Sequence, residues 1–212
     1  MSEKANFSNI YTFYDLINTV LTFGFDKSWR EKAVSNLIGK SVLDLGSGTG
    51  AAYEQLLNFE TTAIDPDKKM LELNAFDNKV LGTAENLPFQ DNSFDNVFCS
   101  FVWRNVSDTN IALNEVYRVL RPGGRFILLD MTRPKNSFLR MLHKFGTFKV
   151  LHLIGLISFN LKEYRFLYKS LDFYPQPEEH LNKDNFIDLK IERMGLFNFV
   201  YLAVFTLSLI HI

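Results

Sequence analysis

Apolar residues along the chain fall into short runs, and the segments between those runs carry helical spacing. The run at residues 42–45 ends beside glycines, and the run at 61–64 ends in Asp65. Further runs lie at residues 79–81, 94–100 and 125–129, and each reads as a buried strand. Residues 6–37 read as helical, with Phe13, Leu16, Ile17, Val20 and Leu21 at 3.6-residue spacing. A helix after Gly50 carries Tyr53, Leu56 and Leu57. Pro66 suits the first turn of another helix, with Asp65 as its expected cap. Residues 111–120 form a helix capped by Asp108 or Thr109 and stopped by Arg121-Pro122-Gly123-Gly124. Residues 164–171 read as helical, and Pro175 and Pro177 then break the chain. Residues 187–193 and 199–207 form a final antiparallel strand pair.

Strands alternating with helices predict an α/β fold with a mostly parallel sheet and helices on both faces. Ligands of such sheets bind at the carboxyl ends of the strands. Gly46–Gly50, Asp65, the loop at 82–85 and residues 100–105 all follow strands, so they converge on one crevice. No repeat or low-complexity segment divides the sequence, and residues 1–212 read as one domain. Within it, residues 1–37 form an N-terminal helical lid and 131–172 a helical insert.

Composition narrows the classes of function. The 212 residues carry a net charge of −1, which provides no basic field for nucleic acid. One cysteine, Cys99, excludes an intrachain disulfide and fits a reducing compartment, where it reads as a small buried hydrophobe. Four scattered histidines show no metal-ligand spacing, so no metal is expected. The N-terminal residues lack the charged-then-apolar pattern of a signal peptide, which points to a cytoplasmic protein. Residues 194–212 hold no charge, yet Gly195, Asn198, Thr206, Ser208 and His211 interrupt them; they read as a turn and a buried strand, with a membrane span as the lesser alternative. The 21 phenylalanines serve a core, or a greasy pocket.

One local bias stands out against this neutral background. No acid occurs between Asp130 and Glu163, while Arg133, Lys135, Arg140, Lys144, Lys149 and Lys162 do. Apolar residues interleave with them. Such a segment either lies on an anionic membrane surface or packs on the core with a solvated basic face.

The chemistry concentrates in Leu43-Asp44-Leu45-Gly46-Ser47-Gly48-Thr49-Gly50. Alternate glycines allow a sharp turn and close approach of the backbone to a ligand. Gly46, Gly48 and Ala51 also satisfy a dinucleotide pattern, and Asp65 has the spacing of a ribose-binding acid in either cofactor class. Asp44 separates the two. A carboxylate there repels a pyrophosphate but attracts the ammonium of S-adenosylmethionine (SAM). A glycine-rich turn without a ligand is the bland alternative.

Five blocks resemble the ubiquinone/menaquinone-biosynthesis C-methyltransferases, a branch of the Rossmann-like class I SAM-dependent methyltransferases. They are Tyr14-Asp15-Leu16-Ile17-Asn18 with Leu21, Gly24 and Trp29; the glycine turn; Thr83 to Phe89 running into Asp91 to Asp95; Ser100-Phe101 with Arg104-Asn105-Val106 and Asp108; and Arg118 to Gly124. The sequence departs from the family's pattern at Thr22, Asp26, Ala51, Thr83 and Val102-Trp103. The resemblance implies a seven-stranded sheet and SAM, converted to S-adenosylhomocysteine. It places Asp44, Gly46, Ser47 and Gly48 at the methionyl part, Asp65 and Pro66 at the ribose, and Thr83, Ala84 and Glu85 at the adenine, with a solvent-facing or structural role as the equal alternative for Glu85. It places Ser100 and Phe101 at the reaction centre. It implies methyl transfer to a ring carbon of a lipid-tailed quinol. Arg104 and Asn105 orient or stabilise the phenolate, Asp15 or a water serves as the base, and Tyr14 and Asn18 shape the lid. For Arg104 the bland alternative is a surface ion pair. Trp103 is expected to narrow or reshape the acceptor pocket, and Val102-Trp103 keep open a second reading, a methyltransferase acting on another small molecule or a lipid, with a non-catalytic SAM-binding protein as a third. A tailed acceptor also gives the basic insert, residues 131–162, a purpose as a peripheral membrane contact.

Overall fold

The structure, a computed structural model, describes Thr19, Thr22 and residues 24–157, 161–181 and 186–209. Its elements in sequence order are α1 (Asp26–Val34), β1 (Ser41–Leu45), α2 (Tyr53–Leu56), β2 (Glu60–Asp65), α3 (Lys68–Leu73), β3 (Lys79–Leu81) and β4 (Phe94–Ser100). A 3-10 turn (Trp103–Asn105) leads to α4 (Thr109–Val119) and β5 (Leu120–Met131). Then follow α5 (Ser137–Ile157), α6 (Leu161–Phe173), α7 (Pro177–His180), β6 (Phe186–Met194), a 3-10 turn (Leu196–Asn198) and β7 (Val200–Leu207).

The seven strands form one sheet in the order β3-β2-β1-β4-β5-β7-β6. β1 to β5 pair in parallel, and β7 runs antiparallel to both β5 and β6. The predicted fold and its closing antiparallel pair are therefore present. Because side chains alternate along a strand, each strand feeds two cores. Leu43, Val97, Cys99, Phe126 and Leu128 meet Leu113, Val116 and Val119 of α4 on one face. Val42, Phe98, Ile127 and Leu129 meet Trp29 and Ala33 of α1 and Leu56 of α2 on the other. Cys99 is fully buried within the first cluster, and burial pushes its thiol pKa up.

The helix caps show where local chemistry and the tertiary site compete. Asp108 caps α4 by accepting from the N–H groups of Asn110 and Ile111, at 2.9 and 3.1 Å. The cap of α3 is Asp67, which accepts from Lys69 and Met70 N–H; it is not Asp65, which looks inward instead. The expected helix at 6–37 is described as α1 over Asp26–Val34, and the earlier part of the lid lies outside the described residues.

The insert is fastened to the sheet by Arg133, which follows β5. Its guanidinium donates to Asp172 Oδ1 (2.7 Å), Thr147 Oγ1 (2.8 Å) and the Tyr168 carbonyl (3.2 Å), and lies over the Tyr168 ring. One side chain thus joins α5 and α6 to the end of the sheet. His143 of α5 packs against Phe199 beside it; burial, and then the Arg133 charge, push its pKa down to about 4. Among the described residues, no helix is long and apolar enough to cross a membrane.

Candidate cofactor and acceptor site

Three glycines with positive φ build the turn after β1: Gly46, Gly48 and Gly50, at 71°, 52° and 89°. The region is strained for any residue with a Cβ. At Gly46 the space is closed as well, since a Cβ would stand 2.5 Å from Cγ1 of Val102 on the loop after β4. At Gly48 the nearest atom, Met70 Sδ, is 3.7 Å away, so the constraint there is conformational alone. Gly46→Ala is therefore expected to lower the melting temperature and weaken cofactor binding more than Gly48→Ala; thermal unfolding with and without cofactor checks this.

Asp44 sits beside this turn, almost wholly buried, on the sheet face that meets α1. Its Oδ2 finds no hydrogen-bond partner among the described residues. Burial pushes its pKa up to about 7, with the charge of Arg30 opposing that rise and Asp65 adding to it. A buried carboxylate oxygen with nothing to accept from is costly, and it fits a site that receives a cation. Ser47 Oγ beside it is also buried with no described partner.

Arg30 is a residue the sequence reasoning passed over. It is buried on α1, donates to Asp26 Oδ2 at 2.7 Å and lies over the Phe101 ring, 5.2 Å from its centroid. Thr22 Oγ1 donates to the other oxygen of Asp26 at 3.3 Å. Two positions that depart from the family's pattern, Thr22 and Asp26, thus hold the cation whose charge acts on Asp44. The signal available was its place directly after Trp29 in the first motif block.

Asp65 ends β2, largely buried, and accepts two backbone N–H groups: Gly48 at Oδ2 (2.9 Å) and Asp67 at Oδ1 (2.8 Å). It ties the glycine turn to the next loop. Each oxygen retains a further lone pair. Burial raises its pKa, and the two backbone donors oppose the rise. Thr83 bridges to Asn86 across the loop after β3, Ala84 is buried within it, and Pro66 is exposed. Glu85 Oε1 accepts from the N–H groups of Ser107 and Asp108, at 2.8 and 3.2 Å, and so clamps the loop before α4, which is the structural one of its two expected roles.

The loop after β4 brings further changes. Ser100 is half-buried and Phe101 fully so, and Phe101 holds a left-handed φ of 61°. Such strain in a residue with a side chain collects at functional sites. Trp103 does not line an acceptor pocket. It is fully buried against Phe126, 5.2 Å between ring centroids, in the core cluster that includes α4. The 3-10 turn directs it under the site, where its Nε1 has no described partner. Arg104 does not form a surface ion pair. Its side chain is buried, and Nη1 donates to Asp130 Oδ1 and to the Phe101 carbonyl (3.0 Å), while its backbone N–H donates to Asp130 Oδ2 (3.0 Å). Asp130, at the end of β5, was the second residue missed; an acid closing a strand, like Asp44 and Asp65, was the signal. Asn105 lies beside it with a buried Oδ1 that has no described partner. Tyr14, Asp15 and Asn18 lie outside the described residues. No group of three or more His, Cys, Asp or Glu side chains placed for a metal occurs among the described residues.

The 3-2-1-4-5-7-6 sheet, with β7 antiparallel, is the architecture of a class I SAM-dependent methyltransferase. Solved structures agree on the fold: a possible histamine N-methyltransferase from Thermotoga maritima (TM-score 0.66, 22% identity, 93% of this chain and 97% of that one) and a putative SAM-dependent methyltransferase from Methanococcus maripaludis (TM-score 0.61, 21% identity, 98% and 97%). Residues 3–188 match the ubiE/COQ5 methyltransferase family, and the protein belongs to it. It is similar to the ubiquinone/menaquinone biosynthesis C-methyltransferase UbiE of Rickettsia bellii, at 36% identity over 82% of this chain and 78% of the relative. Rickettsia akari UbiE is 34% identical over the same shares. The protein is thus a SAM-dependent methyltransferase.

Proposed function

We propose that this protein methylates a ring carbon of a polyprenylated quinol, a demethylmenaquinol or a ubiquinone precursor. The cofactor side of this reading is carried by the partnerless oxygen of buried Asp44 beside the glycine turn. The acceptor side draws on the relatives, whose names specify ubiquinone/menaquinone biosynthesis. When bound, SAM supplies an electrophilic methyl group.

The protein's own residues do the rest. Asp44 accepts from the cofactor's ammonium, and Gly46, Ser47 and Gly48 let the backbone come close to its methionyl part. Asp65 uses its remaining lone pairs for the ribose hydroxyls, beside Pro66, and the Thr83–Ala84 loop meets the adenine. Asn105 Oδ1 accepts from the acceptor hydroxyl, which orients the ring. Arg104, held by Asp130, presents a charge that favours the phenolate over the phenol, although the ion pair dilutes it. Asp15 or a water takes the proton, with Tyr14 and Asn18 closing over the site. A protein of this kind works at the cytoplasmic face of the membrane that holds its acceptor.

A second reading, another small-molecule acceptor, loses its main support. It rested on Trp103 reshaping the pocket, and Trp103 belongs to the core. The test is turnover with methyl-labelled SAM, with demethylmenaquinol and a demethylated benzoquinol offered side by side in detergent. Label in either quinol is the expected outcome. Label in neither, with SAM binding intact by calorimetry, overturns the quinol reading.

A further inference from the structure

The α5 helix is amphipathic in the inverted sense. Its 21 residues span about 31 Å at 1.5 Å per residue. Phe138, Met141, Leu142, Phe145, Leu153 and Leu156 recur at three- and four-residue spacing, which sets them on one side of the helix. They keep between 42% and 63% of their surface exposed, although they are large and apolar. Phe148 borders the stripe, 50% exposed and edge-on to Tyr168 of α6. The opposite side faces the protein and carries the buried His143 and Leu151, with Thr147 bonded to Arg133. A soluble helix orients the other way round. The apolar stripe from Phe138 to Leu156 runs about five turns, longer than the scattered single hydrophobes expected of a monomer surface.

The charge around the stripe identifies what covers it. Lys144 reaches Asp172 at 3.3 Å and Lys135 reaches Glu178 at 3.2 Å, while Arg140 donates to the carbonyls of Pro134 and Lys135. Lys149 stands within the stripe, its ammonium 4.3 Å from the Phe145 ring centroid, and needs only to lengthen its stem to leave an apolar layer. No acid of this helix or of its flanks between Asp130 and Glu163 faces an approaching surface. The pairs with Asp172 and Glu178 neutralise Lys144 and Lys135, so the stripe itself carries Lys149 and no acid, and an apolar face with that cation complements an anionic lipid headgroup layer. A second protein copy packed stripe to stripe would bring its own Lys149 and no acid against this one.

We propose that the outward face of α5 is a membrane-docking surface that lies in the plane of an anionic bilayer, with Phe138, Leu142, Phe145 and their neighbours inserted below the headgroups. The inference deepens the quinol reading, on which it rests, because a lipid-tailed acceptor is held in that bilayer. It also decides between the two sequence alternatives for this segment. A helix packed by its apolar side with a solvated basic face is not what the fold presents.

The test is flotation of the intact protein with phosphatidylcholine vesicles, with and without phosphatidylglycerol, at low and at physiological salt. Binding is expected to the vesicles that contain phosphatidylglycerol and to persist in part at physiological salt, because insertion of apolar surface is not screened. The Phe138→Ser/Phe145→Ser double variant is expected to partition about tenfold more weakly or less. Its melting temperature stays unchanged because both side chains are exposed. Wild-type protein that stays in the aqueous fraction with every vesicle overturns the proposal, and so does a serine variant that floats as well as wild type. A wild-type dimer that the variant turns into a monomer, with flotation unchanged, assigns the face to a second copy and also overturns it. Flotation without label in either quinol leaves the surface standing and removes the acceptor assignment; label in a quinol without flotation does the reverse.

Discussion

An Asp130→Ala variant is expected to unfold about 6–20 °C below the parent, because removing one partner of a buried ion pair costs about 3–5 kcal/mol and each kcal/mol moves the midpoint of a domain this size by about 2–4 °C. The carboxylate is fully buried, and it balances the Arg104 guanidinium. It also accepts the backbone N–H groups of Arg104 and Met131, at 3.0 and 2.7 Å, so its loss frees the 3-10 turn that carries Arg104 and Asn105. Thermal unfolding measures the first effect. A double variant, Asp130→Leu with Arg104→Met, separates structure from chemistry. Replacing a buried pair by apolar groups of similar size often restores stability. The double variant is expected to regain the part of the melting temperature lost to the unpaired guanidinium, not the part lost with the two backbone hydrogen bonds, and to remain impaired in methyl transfer. Full recovery of turnover would show that Arg104 only supports the fold.

Asp44→Asn is expected to reduce SAM affinity on the order of 10- to 100-fold, the loss of one charge-assisted hydrogen bond of about 1.5–3 kcal/mol, while the protein stays folded. The asparagine removes a buried charge that has a partnerless oxygen, so stability without cofactor holds or rises. The pH dependence carries the distinguishing sign. The folded-state pKa lies near 7, above the ordinary carboxylate value near 3.8. Below about pH 4 both folded and unfolded forms keep this proton. As pH climbs towards 7 the unfolded form gives it up and the folded form does not, so stability falls by a few kcal/mol and then levels off. The variant lacks that fall. Cofactor affinity moves oppositely: a bound cation favours ionised Asp44, so wild-type affinity climbs with pH until about 7. Chemical unfolding and calorimetric titration across pH 4–8 test both slopes. A wild-type affinity flat over that range would remove Asp44 from the ammonium site.

Different parts of this picture were accessible at different levels. The parallel strands and the antiparallel closure were readable because period-2 and 3.6-period patterns are local. The glycine turn was readable because positive φ restricts residue type to glycine at short range. Glu85, Trp103 and Arg104 were harder. Each is polar or amphipathic next to a motif, and nothing local says whether such a side chain turns towards a ligand or towards the protein. The cap of α3 failed for a related reason. Asp65 and Asp67 were both able to cap, and the demand of the Gly48 and Asp67 N–H groups for an acceptor drew Asp65 away.

The sequence by itself determined the sheet, the family and the cofactor class, because these follow from residue spacing and from the conformational limits of single residues. Only the tertiary structure decided the partners of the charged groups. The charge of Arg30 on α1 acts on Asp44 while its side chain bonds Asp26, and Arg104 reaches Asp130 from the turn after β4. It also decided which side of α5 faces outwards, since the anchor that turns its apolar stripe away from the core is Arg133, bonded to residues as distant in sequence as Asp172. Burial and long-range pairing are properties of the packed molecule, and no window of sequence contains them.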